Sequence, residues 1–552
     1  MTSSTPAAQR IAAGYRTTAP AVVLGSVVID GTADPTALVR MALPMFNRHG
    51  LVAGATGTGK TKTLQLIAES LSAAGVPVVV PDVKGDLSGL LEPGRPAPAI
   101  TDRAEQTGMP WSPQGCPVEF LCLPGAGQGV PLRATVDSFG PVLLAKVLDL
   151  NATQESTLGL VFHFADRAGL PLLDLADLRA VVAHLLSDAG KQDLTDLGGV
   201  ARSTAGVILR AVTNLSAQGG EAFFGEPEFS VTDLLRRAPD GRGVISVIQA
   251  SALQTRPVLF STFLMWLLAE LFEELPEVGD VEQPELVFLF DEAHLLFADA
   301  SAAFLQAVQQ TVKLIRSKGV GVFFCTQLPT DIPGPVLSQL GARIQHAVRA
   351  FTPDDQRALS TTVRTYPVTE DYDLARALPG LGTGEAMVTV LSESGAPTPV
   401  AWTRLRPPRS LMAPPPAEAL TATVAASALR PKYDVAVDRE SAYELLTGRL
   451  AEAAGRAPAA PPAAVPGPGA PPGPVEWPSL VPPENPYLGS GLDLDPVSPP
   501  VGGPTAGGST GGGLGDLLGS PVLTSFVSSF GAALGGALGR SVSGTRRRRR
   551  RR

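Results

Sequence analysis

The sequence predicts an α/β fold built on a mostly parallel sheet, and three observations carry that reading. Short apolar runs rich in β-branched residues recur through residues 20 to 452; helical patterns separate most of them; and a glycine-rich loop with the spacing G-x-x-x-x-G-K-T stands between one such run and a helix start. Runs that are apolar on both faces indicate strands covered on both sides, and the intervening helices supply the crossovers that parallel strands require.

In chain order the strands are read as "LVAG" (51–54), "VPVVVPD" (76–82), "GVISVIQ" (243–249), "ELVFLFDE" (285–292), "GVGVFFCTQ" (319–327) and "GEAMVTVL" (384–391). The stretch 139–238 offers no convincing strand but several amphipathic patterns, among them "NATQESTLGLVFHFADRAG", opened by an Asn151 to Gln154 capping box. It reads as a helical insertion in the α/β core. A further helix is expected in "DRESAYELLTGRLAEAA", with Asp438 as its N-cap. Pro and Gly make up 29 of the 60 residues from 456 to 515, which identifies a disordered linker rather than a fold. The expected organisation is an N-terminal arm (1–19), a first core part (20–138), the helical insertion (139–238), a second core part (239–410), a helical extension (411–455), the linker (456–515), and a last helix with an arginine tail (516–552).

Charge and cysteine content narrow the classes. The net charge is −8, but Arg546 to Arg552 are all arginine, and setting them aside leaves 37 basic against 52 acidic residues, a balance of −15. An acidic body argues against broad electrostatic affinity for nucleic acid. Cys116, Cys122 and Cys325 match neither a disulfide framework nor a metal-ligand spacing, and residues 1 to 20 contain no apolar export segment, so a cytoplasmic location is expected.

The glycine-rich loop carries the chemistry. In "GATGTGKTK", Gly54, Ala55, Thr56, Gly57, Thr58 and Gly59 let backbone N–H groups wrap a phosphate, Lys60 reaches the β- and γ-phosphates, Thr61 offers a hydroxyl to Mg²⁺, and Lys62 continues the helix start. ATP and Mg²⁺ are therefore the expected cofactors, and no N-K-x-D guanine-reading motif is present. A second acidic element is expected for the metal. "ELVFLFDEAH" supplies Asp291 as metal ligand and Glu292 as general base, placed where a parallel strand ends. Gln327 ends the next strand and is read as a γ-phosphate sensor. Asp82 ends another, as a further carboxylate near the metal or the lytic water, or as a loop cap. His294 and His49 read as packed or loop histidines, and Cys325 as a small core residue.

These elements resemble the HerA/FtsK superfamily of RecA-like P-loop NTPases, closest to compact bacterial HerA-like helicase-domain proteins. The resemblance is carried by "NRHGLVAGATGTGKTKTLQ", "VVVPDVKGDLSGL", "FLFDEAHLLF", "VKLIRSKGVGVFFCTQLPTDIP" and "LGARIQHAVRAFTPDDQRAL". It implies a RecA-like core in a homo-oligomer, a hexameric ring with ATP between subunits, acting on DNA as a helicase or translocase. It also implies arginines donated to a neighbour's γ-phosphate, and Arg48 and Arg316 match those positions. The departures matter too. The stretch before Gly54 is too short for the β-barrel of HerA translocases plus a first core strand, so their nuclease partner is not expected, and neither FtsK-type membrane spans nor a DNA-reading winged helix is visible.

Two function classes follow: an ATP-hydrolysing oligomeric motor on DNA, and an ATPase that assembles or remodels protein partners without translocation. A small-molecule kinase is disfavoured, because Glu292 beside the metal acid favours water as nucleophile. Near the C-terminus, residues 521–539 are uncharged but rich in Ser, Thr and Gly, which disfavours a membrane span. They read as a docking helix followed by an arginine hook for polyanions.

Overall fold

The computed structural model describes residues 5–125, 127–193, 199–217, 219–250, 257–297 and 302–455. The expected linker 456–515 and the segment 516–552 lie outside the described residues.

Among the described residues twelve strands form a continuous sheet. They are β1 (Ala21–Ile29), β2 (Thr32–Ala42), β3 (Gly50–Ala53), β4 (Val78–Asp82), β5 (Val118–Cys122), β6 (Val130–Pro131), β7 (Ile245–Gln249), β8 (Leu286–Phe290), β9 (Val320–Thr326), β10 (Ala342–Gln345), β11 (Glu385–Thr389) and β12 (Ala401–Leu405). Their order is β2-β1-β12-β11-β10-β3-β9-β8-β4-β7-β5-β6. From β10 to β6 every pairing is parallel, and from β11 to β2 every pairing is antiparallel. The architecture is α/β with a mostly parallel sheet, as the sequence predicts.

The apolar runs form central strands because each feeds two cores at once. Successive strand side chains point to opposite faces. Leu286, Phe288 and Phe290 of β8 enter one core together with Val320, Val322 and Phe324 of β9. Val287 and Leu289 enter the other, with Phe323, Cys325 and Val52. Helix Lys60–Ala73 covers this second face through Leu64, Ile67, Ala68 and Leu71. Helices Val136–Val147, Ala152–Ala168, Leu175–Leu186 and Arg202–Ala217, together with Pro257–Glu274, cover the first.

The capping box at Asn151 is present: its side chain accepts from Thr153 and Gln154 N–H at 3.1 Å each, and the Gln154 side chain accepts from Asn151 N–H at 3.0 Å. Asp438 is not the N-cap of the last described helix, which starts at Ala442. There Glu444 accepts Ser441 N–H at 2.9 Å, and Asp177, from helix Leu175–Leu186, accepts Tyr443 N–H at 2.8 Å. A carboxylate from a packed neighbour caps this helix in place of the residue upstream.

Candidate functional site

Because β3, β9, β8 and β4 run parallel, their C-terminal ends lie along a common edge of the sheet, and the residues following them form the site. Gly54 leaves β3 with its N–H donating to Thr326 O (3.2 Å) and Gln327 O (3.0 Å), and Ala55 N–H donates to Ala347 O (2.8 Å). The loop is thus tied to the strands on both sides. Gly59 has φ 112°, and a Cβ there would stand 3.1 Å from Gly384 N, so both its conformation and its surroundings require glycine. The loop closes on Ala55 O, which accepts the Thr58 hydroxyl at 2.7 Å and the Lys60 ammonium at 3.2 Å. Thr56 and Gly57 are exposed at its crest, and Thr61 is half-buried in the first helical turn. The Lys62 ammonium instead donates to Met412 O at 2.9 Å. Its side chain belongs to the packing of the segment near residue 411.

Asp291 and Glu292 follow β8 and are both buried. Asp291 Oδ1 accepts Glu292 N–H at 3.0 Å, while Oδ2 is buried without a hydrogen-bond partner. Burial raises the Asp291 carboxyl above its ordinary range, and the neighbouring Glu292 adds to that rise. An anionic oxygen left bare in the interior is costly unless a cation meets it. A divalent ion would meet that need at Oδ2. Glu292 adopts φ 49°, a left-handed conformation that costs a non-glycine residue about 1–3 kcal/mol. Its carboxylate is ion-paired with Lys84, and its other oxygen lies 3.3 Å from His294 Nδ1. Cys325 is wholly buried, as a core residue should be; burial pushes its thiol up, and the nearby Asp291 adds to that rise. The Gln327 side chain is exposed beside the loop.

Asp82 takes the loop-cap alternative. Its Oδ1 accepts Gly85 N–H at 2.7 Å, and its Oδ2 accepts Leu87 N–H and Ser88 N–H at 3.0 Å each. Both oxygens are engaged in shaping the loop after β4.

Arg48 and Arg316 lie elsewhere. Arg48 precedes β3 and Arg316 precedes β9, so both stand at the N-terminal edge of the sheet, opposite the glycine-rich loop. They are neighbours there: Asp280 Oδ1 is 3.2 Å from one Arg48 nitrogen and 3.7 Å from one of Arg316. Asp280 is 86% exposed, so two guanidiniums converge on a single surface anion.

Two buried histidines hold these groups in place: His49, which the sequence reads as a packed or loop histidine, and His346, to which the sequence assigns no role. His49 joins the arginine segments: its Nε2–H donates to Val312 O at 2.7 Å and its Nδ1 accepts Val322 N–H at 3.0 Å. His346 follows β10 beneath the loop, with Nε2 and the Thr63 hydroxyl 2.9 Å apart. Burial lowers both imidazoles to about 4, with Arg316 and Arg48 adding to the fall at His49 and Lys60 at His346.

An unfolded chain protonates these rings near their ordinary value, so stability is complete above about pH 6.5 and falls as pH drops towards 4. Each ring is expected to remove roughly 3 kcal/mol across that window. Urea unfolding at pH 7 and pH 4 checks this: a His49→Gln chain should show the smaller difference between the two pH values.

Fold and loop together define a P-loop α/β protein with a nucleotide site at the C-terminal edge of its sheet. The chain belongs to the family described as Helicase HerA-like C-terminal, whose family model matches residues 29–469. The resemblance carried by the sequence motifs is borne out. The fold is similar to that of the bacterial conjugative coupling protein TrwBΔN70, at 16% identity and TM-score 0.44, over 73% of this chain and 93% of that one. It is also similar to TrwB in complex with ADP and Mg²⁺, at 17% identity and TM-score 0.44, over 73% and 94% of the two chains. VirB4 of Thermoanaerobacter pseudethanolicus matches at 15% identity and TM-score 0.43, over 71% and 98%. No curated protein matches the chain significantly.

Proposed function

We propose that this protein is an ATP-hydrolysing motor that works as a homo-oligomeric ring on DNA. The observation that carries the reading is the division of the site between two sheet edges. Lys60, Thr61, Asp291 and Glu292 gather at one edge, and the paired guanidiniums of Arg48 and Arg316 stand at the other. A chain cannot bring its own arginines to its own phosphates across the strands, but a ring presents one subunit's arginines to the next subunit's loop.

In this reading Lys60 and the loop N–H groups hold the triphosphate, and Glu292 takes the proton of the attacking water. Thr61 and Asp291 would hold Mg²⁺, which neutralises phosphate charge when bound. Gln327, exposed beside the loop, senses the γ-phosphate, and Arg48 and Arg316 stabilise transition-state charge on a neighbour's nucleotide.

DNA enters through membership of a helicase-like family, whereas the acidic body favours a second reading, in which the ATPase remodels protein partners. Steady-state ATPase rates with and without double- and single-stranded DNA decide between them, with the particle mass measured in an ATP analogue. Stimulation by DNA in an oligomer is the expected result; DNA-indifferent turnover moves the protein to the second reading. Among the described residues no helix is long and apolar enough to cross a membrane.

A further inference from the structure

The motif "VVVPDVKGDLSGL" has no role in the phosphate and metal contacts above, yet it contributes an ion pair to the site. Its loop is rigidly shaped. Asp82 accepts the N–H groups of Gly85, Leu87 and Ser88 and the Ser88 hydroxyl, and Gly85 turns the chain with φ 82°. From this turn the Lys84 side chain reaches the segment after β8, and its ammonium pairs with Glu292 Oε1.

The two partners differ in freedom. The Lys84 side chain is 46% exposed and that of Glu292 is 9% exposed, so the lysine can leave and the glutamate cannot. The charged and titratable groups around Glu292 are Lys84, Asp291 and His294, with the Cys325 thiol on Asp291 behind it. Among them Lys84 is the cation in direct contact.

We propose that Lys84 is a positioning residue that restrains Glu292: while the ammonium compensates its charge at Oε1, the carboxylate, whose Oε2 has no hydrogen-bond partner, is a weakened base, and fast turnover requires the pair to open. The proposal rests on the ATPase reading. In hydrolysis the water oxygen forms the bond to the γ-phosphorus, the bond to the ADP oxygen breaks, and the water proton passes to the Glu292 carboxylate. An oxygen already accepting from an ammonium has its lone pair engaged and its negative charge compensated, so it is a poor acceptor for that proton. The reach of Lys84 is set by Asp82, which fixes the loop from which the side chain extends. That assigns Asp82 a function that does not involve the metal.

The test is the steady-state ATPase rate of Lys84→Met, Lys84→Arg and Lys84→Met combined with Glu292→Gln, at saturating ATP without DNA. Removing the ammonium should raise kcat severalfold at unchanged KM, an increase that a merely structural residue would not produce. Lys84→Arg, which can still pair, should stay near the wild-type rate, and the double variant should be inactive, showing that the gain runs through Glu292. A Lys84→Met chain that binds an ATP analogue normally but turns over no faster than wild type overturns the restraint. Should that variant lose its fold, Lys84→Gln is read by the same criteria. A wild-type chain inactive with and without DNA sinks the ATPase reading itself, whereas an active wild type with an unaccelerated Lys84→Met sinks the restraint alone.

Discussion

Glu292→Gln is expected to bind ATP and leave it uncleaved, with turnover reduced by about 10²–10⁴-fold, the range for loss of a positioned general base. The carboxamide keeps the shape of the side chain but cannot accept the water proton. Glu292 is buried in a left-handed backbone conformation beside the bare Oδ2 of Asp291, and His294 Nδ1 lies 3.3 Å from it. Lys60→Ala is the companion variant and should fail earlier, at binding, since it removes the charge-assisted contacts to the phosphates. Filter binding of an ATP analogue beside a phosphate-release assay separates the two outcomes. A Glu292→Gln chain that hydrolyses ATP at the normal rate would show that the base lies elsewhere.

Arg316→Ala should cost turnover about 10³–10⁵-fold if the guanidinium acts as an arginine finger. Its effect should also be curable by a partner. At about 3.3 Å per residue, the seven-residue strand β9 puts Arg316 on the order of 20 Å from Gln327 at the strand's other end. A guanidinium at that distance contributes nothing to its own chain's nucleotide. Mixing Arg316→Ala with Lys60→Ala should therefore restore part of the ATPase activity, because one class of interface joins an intact loop to an intact arginine. Each variant alone should be inactive. No recovery in oligomers shown to be mixed would return Arg316 to an ordinary surface residue paired with Asp280, and full activity from a strict monomer would remove the ring.

What could be read before the structure was the part of the site whose geometry is local. A glycine-rich loop between a buried strand and a helix specifies its own backbone, so the turn from strand to helix between Gly54 and Thr61 was legible residue by residue. Asp291 and Glu292 were legible for a similar reason, since five apolar residues ending in two acids mark a strand end. The Asn151 capping box spans four residues and needed nothing else. The strands that escaped notice are of another kind. β2 carries Pro35 and an exposed start, while β10 reads "ARIQ" and β12 reads "AWTRL", short or partly polar strands that are placed by pairing with β3 and β1, remote in sequence.

The tertiary structure alone decided how those parts are connected. Lys84 meets Glu292 across 208 positions of chain, and His346 meets Thr63 across 283. Neither contact leaves a periodicity or a spacing in the sequence, because only the order of strands in the sheet brings the residues together. Asp82 differs: it shares a strand-end position with Asp291, but its contacts are local, its carboxylate accepting from Gly85, Leu87 and Ser88 within six residues. Local sequence determined the glycine-rich loop and the acidic strand end. The sheet, by setting strand ends on one edge and strand starts on the other, determined which groups a single chain can use together.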